Sequence, residues 1–367
     1  PFIQNIGNFF LKNYHKESKL LKNMDFLKIN GGYGEGGGQI IRSAITLSCI
    51  TKQPIHLENI RKNRKNEGLK PQHLTAIRIL QKIVKADVIG DEIGSTELKF
   101  IPNNIESLEL IEDVKTAGSI SLILQVLIPV VSISQKKLSL IIKGGTDVLW
   151  SPSMDYTQHV LKEAYSRIGI EFSIKIIKRG YYPKGNGEIK LEVYPSKIKS
   201  LTLSKRKTNN LKLKCTFSKI STDLIKEKIE KIKEKIEEKK FNVEIEIKEE
   251  EAVDSGASVL IYSIDENSII GIDGLFNKKT QNFDLDFDKF INNSLGMDEN
   301  LADMLVVPAS LGINKSILQV KEITKHLETN LFVTSKITGC KYGIGKISEG
   351  FKIIIEGVSN SSIKQRC

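Results

Sequence analysis

The chain is expected to fold as an α/β protein, α+β in the broader sense, with a large domain and a smaller α/β domain inserted late. From Met24 onward, short β-type runs alternate with helical stretches, and such units recur along the chain. Between about Ser196 and Asn277 the composition shifts toward Lys, Glu and Ile over a compact set of elements of its own. These two features divide the chain into a large domain, 24–195 and 278–367, and an inserted one, 196–277.

In order, the half-polar run Phe26-Leu27-Lys28-Ile29 is a short strand, followed by a glycine loop and a helix that runs from Ile40 to about Cys49. A strand at Pro54–Leu57 leads through a basic segment to a helix at Gln72–Lys85. Similar units follow at Ala117–Pro129 and Leu138–Ile142, then at Met154–Ile168 and Glu171–Lys178. The longest apolar run, Ile120 to Ile133, is interrupted by Gln125, Pro129 and Ser132 and reads as a buried helix followed by a strand. In the late segment, Ile225, Ile229, Ile232 and Ile236 recur at helical spacing with Lys and Glu on the other face. Phe241, Val243, Ile245 and Ile247 alternate with polar residues as a half-buried strand, and another strand covers Ser258–Ser263. A helix laid on a sheet explains this segment without catalysis.

With 367 residues, 40% hydrophobic and 27% charged, the chain has the composition of a globular protein, not a disordered one. Its net charge of +11 favours polyanionic partners. The cysteines, Cys49, Cys215, Cys340 and Cys367, form no CxxC pair, which argues against a zinc ribbon or disulfide scaffold and for a reducing, cytoplasmic setting. Ile120–Ile133 is too short to span a bilayer, so no membrane segment is expected. Residues 1–23 lack a continuous apolar core and read as an N-terminal extension, poorly ordered, ahead of Met24.

The chemistry begins at Gly31-Gly32-Tyr33-Gly34-Glu35-Gly36-Gly37-Gly38-Gln39, followed by Ile40-Ile41-Arg42-Ser43. Six glycines in nine positions leave backbone amides open to an anion, and the following helix adds positive potential. No Gly-Lys-Ser/Thr follows, so this is not a P-loop. Gly32, Gly34 and Gly37 match the dinucleotide fingerprint, with Glu58 after the next strand, but the strand before the loop is too polar for a central parallel one. A glycine-rich connection without ligand is the plainest alternative. Glu35 would repel phosphate unless it holds a metal, accepts from a sugar hydroxyl or pairs with a cation such as Arg42.

Further polar segments cluster after strands. Arg61, Lys62, Arg64, Lys65 and Lys70 put five cations within ten residues, and the arginines suit phosphate oxygens unless the loop is simply solvated. Pro71 can start the next helix, whose Gln72 and His73 would face the same ligand, though a capping or core role suits His73 equally. Gly144 to Ser153 follows an apolar strand. Arg179 to Gly187 mixes cations, aromatics and glycines that could stack a base or make a plain hairpin turn. His326, within Thr324 to Asn330, is by itself a structural histidine or a nucleophile; Asp303 could orient it, hold a metal or cap a helix.

Taken together, GGYGEGGGQIIRS, IRKNRKNEGLKPQHLTA, TAGSISLILQ, GGTDVLWSPSMDY, RGYYPKGNGE, LADMLVVP and KHLETN, in this order, resemble the RNA 3′-terminal phosphate cyclase family. The resemblance implies a large domain of three repeated βαβαββ modules with a smaller inserted βα domain. It also implies ATP-dependent conversion of an RNA 3′-phosphate to a 2′,3′-cyclic phosphodiester through a histidine-linked AMP. By motif, His326 is then the nucleophile, and Arg42, Arg61 and Arg64 contact phosphate. Glu35 serves nucleotide and a divalent metal, Mg²⁺ or Mn²⁺; Gly36, Gly37, Gly38, Gln39, Gln72 and His73 line the nucleotide site, and Asp303 stands near the histidine. Partners are ATP and RNA with a 3′-phosphate end. Asn300 departs from the pattern where an aromatic would stack on adenine. A non-catalytic relative that binds RNA in ribosomal RNA processing is the rival, but such relatives are degraded at the glycine loop and histidine, which are intact here.

Overall fold

In the computed structural model, which describes residues 24–358, three four-stranded sheets share one strand order. Residues 1–23 and Cys367, for which the sequence predicts an extension and a free thiol, lie outside the described residues. In the first sheet β1 (Leu27–Asn30) pairs parallel with β2 (Ile55–Glu58), with α1 (Gly38–Thr51) between them. After α2 (Pro71–Val84), β3 (Asp87–Ile89) and β4 (Leu98–Ile101) complete the order β1-β2-β4-β3 by antiparallel pairing. The second sheet has the order β5-β6-β8-β7, from β5 (Leu108–Asp113), α3 (Ile120–Ile133), β6 (Leu138–Gly144), a helix α4 over 154–167, β7 (Phe172–Lys178) and β8 (Gly187–Val193). Residues Thr157–Leu161 of α4 form a π turn.

A third sheet begins at β9 (Thr202–Leu203), and the chain then leaves it for a five-stranded sheet. That sheet is built from β10 (Asn210–Ser218), β11 (Asn242–Glu249), β12 (Gly256–Asp265), β13 (Ser268–Asn277) and β14 (Asn282–Phe283), with helices α5 (Thr222–Glu238) and α6 (Phe287–Ile291). The expected isoleucine stripe is its core: Ile225, Ile229 and Ile236 are buried against Leu211, Leu213, Phe217 and Val259, and the cluster extends to Phe290 and Ile291. The chain returns through α7 (Glu299–Ser310), β15 (Lys315–Val320), α8 (Lys325–Thr338), β16 (Lys341–Ile347) and β17 (Gly350–Glu356), giving the order β16-β17-β15-β9.

Ile120 to Ile133 is one helix, not a helix followed by a strand. Pro129 removes one N–H from the helical ladder, but Ile128, Val130 and Val131 on either side are fully buried, and that packing carries the helix through. Packing also fixes how helices meet. α1 lies against α8 and α3, and α8 against α7. Ser43 on α1 donates to Asn330 Oδ1 on α8 at 2.6 Å, and a Cβ on Gly37, just ahead of α1, would stand 3.7 Å from the ring of His326 near the start of α8, so the two helices run side by side from a common end.

The hairpin segment Arg179–Gly187 does not offer its arginine to a ligand. Arg179 is buried and bonds to Glu250 at 2.6 Å, Asp147 at 3.2 Å and Asp155 at 2.9 Å, joining the second sheet to the five-stranded one. Removing one partner of such a group leaves buried charges uncompensated. Arg179→Ala is therefore expected to lower unfolding free energy by about 3–5 kcal/mol, read from urea unfolding midpoints, whereas loss of an exposed pair such as Lys315–Glu356 should leave the midpoint close to that of wild type.

Candidate active site

The glycine loop turns at Gly34 and Gly36, where φ is +56° and +60°. Side chains close in on it so tightly that a Cβ on Gly34 would stand 2.3 Å from Thr329 Oγ1, and one on Gly38 would stand 2.5 Å from His73 Nε2. A Cβ on Gly37 would lie 3.1 Å from an Arg64 nitrogen and 3.7 Å from the His326 ring. Asn63 pins the loop by donating to the Gly32 carbonyl at 3.0 Å. Thus the loop, the basic segment, the start of α2 and the start of α8 meet at one place.

Within it, the puzzle of Glu35 resolves into two close partners. Arg64 bonds to one carboxylate oxygen, and His326 Nε2 lies 2.8 Å from the other. His326 is the second residue of α8, whose Thr324 caps the helix by accepting from Leu327 at 3.1 Å, and its side chain is 49% exposed. Both α1 and α8 therefore aim N-terminal amides and the positive ends of their dipoles at this point. Gln39 accepts from Arg42 and donates to Ser43 at 3.3 Å, so it orients the guanidinium instead of opening to the loop.

The charges are unbalanced. The Nε atoms of Arg42, Arg61 and Arg64 are buried without a partner, as is Asp303 Oδ1. Burial lowers the Arg42 pKa to about 10, with Asp303 opposing and Arg61 adding to the shift. Arg61, at φ +58°, is lowered by burial and by Arg64. Asp303 is pushed up to about 6 by burial, against the pull of Arg42 and His326. His73 is driven down to about 3 by burial, then by Arg42, Arg61 and Lys70. Its Nδ1 accepts from the Lys70 amide at 3.1 Å, so the neutral ring carries its hydrogen on Nε2, toward Gly38.

Of the residues the sequence singles out, Glu35, Gly36, Gly37, Gly38, Arg42, Arg61, Arg64, His73, Asp303 and His326 surround this point, with Gln39 behind Arg42. Gln72 instead lies beside Gly118, where a Cβ would approach it at 3.5 Å. Asn330 is the structural member that sequence reading passes over. It accepts from Ser43 and donates to the Asp303 carbonyl at 2.7 Å, and its only signal is the i,i+4 spacing from His326. Among the described residues no group of three or more His, Cys, Asp or Glu side chains is arranged to hold a metal, and no helix is long and apolar enough to cross a membrane.

This chain is similar to known proteins over most of its length. The family model for RNA 3′-terminal phosphate cyclase matches residues 33–344. Relatives of that name include one from Pyrococcus furiosus, 38% identical over 333 residues, covering 88% of this chain and 97% of the relative. One from Saccharolobus solfataricus is 37% identical over 343 residues, covering 89% and 98%. One from Korarchaeum cryptofilum is 34% identical over 346 residues, covering 91% and 99%.

The neutral His73 makes a pH prediction. Its imidazole protonates near pH 6.5 when unfolded and near 3 when folded, so between those values the unfolded chain binds the extra proton and stability falls as pH falls. Asp303 acts oppositely, its contribution being lost as pH rises from 3.8 to about 6. Between pH 6.5 and 5 the His73 term amounts to about 2 kcal/mol. Urea unfolding of His73→Gln should show that much less acid-side loss than wild type; parallel curves would refute the assignment.

Proposed function

The chain belongs to the RNA 3′-terminal phosphate cyclase family, and from that premise we propose that it converts an RNA 3′-phosphate into a 2′,3′-cyclic phosphodiester with ATP as co-substrate. The observation that carries the reading is the trio Arg42, Arg61 and Arg64, each with a buried, unpartnered Nε, gathered at a glycine loop beside a half-exposed histidine. Guanidiniums with unused donors at two helix N-termini suit a polyphosphate and the charge that builds on phosphorus during transfer.

In this reading His326 attacks the α-phosphorus of ATP: an N–P bond forms, the Pα–O bond to pyrophosphate breaks, and pyrophosphate leaves. The attacking nitrogen has to be free of its proton, and Glu35, 2.8 Å from Nε2, is the carboxylate within reach to take it. AMP then passes to the RNA 3′-phosphate, and the neighbouring 2′-hydroxyl displaces it to close the cyclic diester. Arg42, Arg61 and Arg64 hold phosphate oxygens through both transfers. His73 contributes a neutral Nε2–H donor beside Gly38, and Asp303 offsets Arg42. A divalent ion fits Glu35, because Mg²⁺ is commonly held by one or two carboxylates plus substrate phosphates; it would neutralise phosphate charge there.

The same reading takes the five-stranded unit as the inserted smaller domain. Its apolar cluster, from Leu211 to Ile291, supports a separate packing unit that reaches beyond Asn277.

With α-labelled ATP and Mg²⁺ or Mn²⁺, the protein is expected to acquire acid-labile, alkali-stable label that His326→Ala abolishes. No adduct on wild type, or undiminished label on the variant, would sink the histidine assignment. An RNA whose 3′-phosphate adjoins a 2′-deoxy sugar should accept AMP and stall, accumulating the activated end.

A further inference from the structure

The core face of the third sheet continues past the helices that cover it. In the β16–β17 pair Tyr342 lies opposite Ile355, and Ile344 opposite Ile353. Directly opposed residues share a face, and Ile353 and Ile355 are fully buried. Tyr342 and Ile344 thus extend a buried row onto the edge strand, where they stand 37% and 41% exposed. Beyond them Phe332 of α8 stacks on Tyr33 of the glycine loop, ring centroids 4.0 Å apart and planes 17° from parallel, and both rings are more than a third exposed. β16 packs against α8, which sets the strand that carries Tyr342 and Ile344 beside the helix that carries Phe332. An apolar row left open on an edge strand is a liability unless something covers it.

This ledge adjoins the reacting groups. Tyr33 is two residues from Glu35, and Thr329, between His326 and Phe332 on α8, presses on Gly34. Lys62 reaches the loop from the basic segment, with its Cβ 3.5 Å from where a Cβ on Gly32 would stand. Lys62, Lys325 and Lys346 make no ion pair among the described residues. Rings open to stacking with unpaired lysines around them are the makings of a single-strand nucleic-acid site.

Resting on the functional reading above, we infer that Tyr33, Phe332, Tyr342 and Ile344 form the platform on which the nucleotides just 5′ of the RNA 3′-phosphate stack as the terminal phosphate is delivered to His326. The platform reads no sequence, because every base offers a face to stack, and it favours single-stranded RNA, since inside a duplex both faces of a base are covered by its neighbours.

The test is the affinity of a 5′-fluorescein, 3′-phosphorylated RNA of about ten nucleotides, a length within the span of single-strand sites, measured by anisotropy. Tyr342→Ala should weaken binding roughly tenfold, the order of one lost stacking contact, and Tyr342→Phe should recover it. The loss should persist at roughly 0.5 M salt, where a lysine's share fades. Should Tyr342→Ala fail to fold by circular dichroism, Ile344→Thr reads the same surface with a smaller expected loss. Wild type and Tyr342→Ala binding equally tightly overturns the platform alone. So does a dimer that Ile344→Lys separates without change in RNA affinity, since the ledge is then an interface between copies. Wild type that forms no His326 adduct sinks the functional reading and this inference together, and the labelling assay tells the two failures apart.

Discussion

Everything at the site depends on the parallel packing of α1 against α8. These helices come from opposite ends of the described chain, and one buried polar joint sets their register. Asn330 accepts from Ser43 across the interface and from Thr334 on its own helix, while its amide donates to the Asp303 carbonyl on α7. Each such bond is worth only about 1 kcal/mol net, yet a mismatch would strand buried polar groups, so the register is fixed more firmly than that figure suggests. With that register the glycine loop must thread under Thr329, and no side chain fits at Gly34. A parallel pair also ends at one place. Two sets of unpaired N-terminal amides then point at the same volume, which no single helix would do.

A positive site of this kind is costly to fold. Burial takes Arg42 well below the ordinary guanidinium range, to about 10, a drop of about 3 kcal/mol in the favour of its charged form, and Arg61 adds repulsion. Asp303 offsets only part of this, since burial disfavours its own charge as well. The protein keeps the arrangement because the charges are pre-oriented and need no reorganisation when an anion arrives.

Much of this was legible in the sequence, for identifiable reasons. The glycine loop, the arginine pair and His326 carry short-range signals: glycines where only φ > 0 or close approach will do, cations in a run, and a histidine after a capping threonine. The isoleucine stripe of α5 gave its helix and its buried face directly, because helical spacing maps one to one onto burial. What failed is what depends on partners far along the chain. Pro129 reads as a break, and burial on both sides overrides it. For Arg179 the sequence leaves a ligand contact and a plain turn both open, and the choice is made by Asp147, Asp155 and Glu250, which converge on it from three separate segments. Gln39 is the nearer case: its bond to Arg42 is an i,i+3 helix pair that the spacing already allows, and it takes Gln39 away from the loop.

Glu35 is the place where these constraints meet. Of the two carboxylates among three arginines, Asp303 faces Arg42, while Glu35 is the one on the loop and Arg64 bonds to it. Yet its second oxygen stays with a half-exposed imidazole, and Arg42 and Arg61 remain with unused donors. Two acids cannot satisfy three guanidiniums, so the site stays short of negative charge. On the proposed function, that shortage is what an incoming polyphosphate would make up. The same loop that holds Glu35 presents Tyr33 on its outer side, so ordering the loop around an anion also sets the ring on which a neighbouring base can stack. On the functional reading proposed above, phosphate capture and strand placement would be coupled through five residues of backbone, from Tyr33 to Gly37.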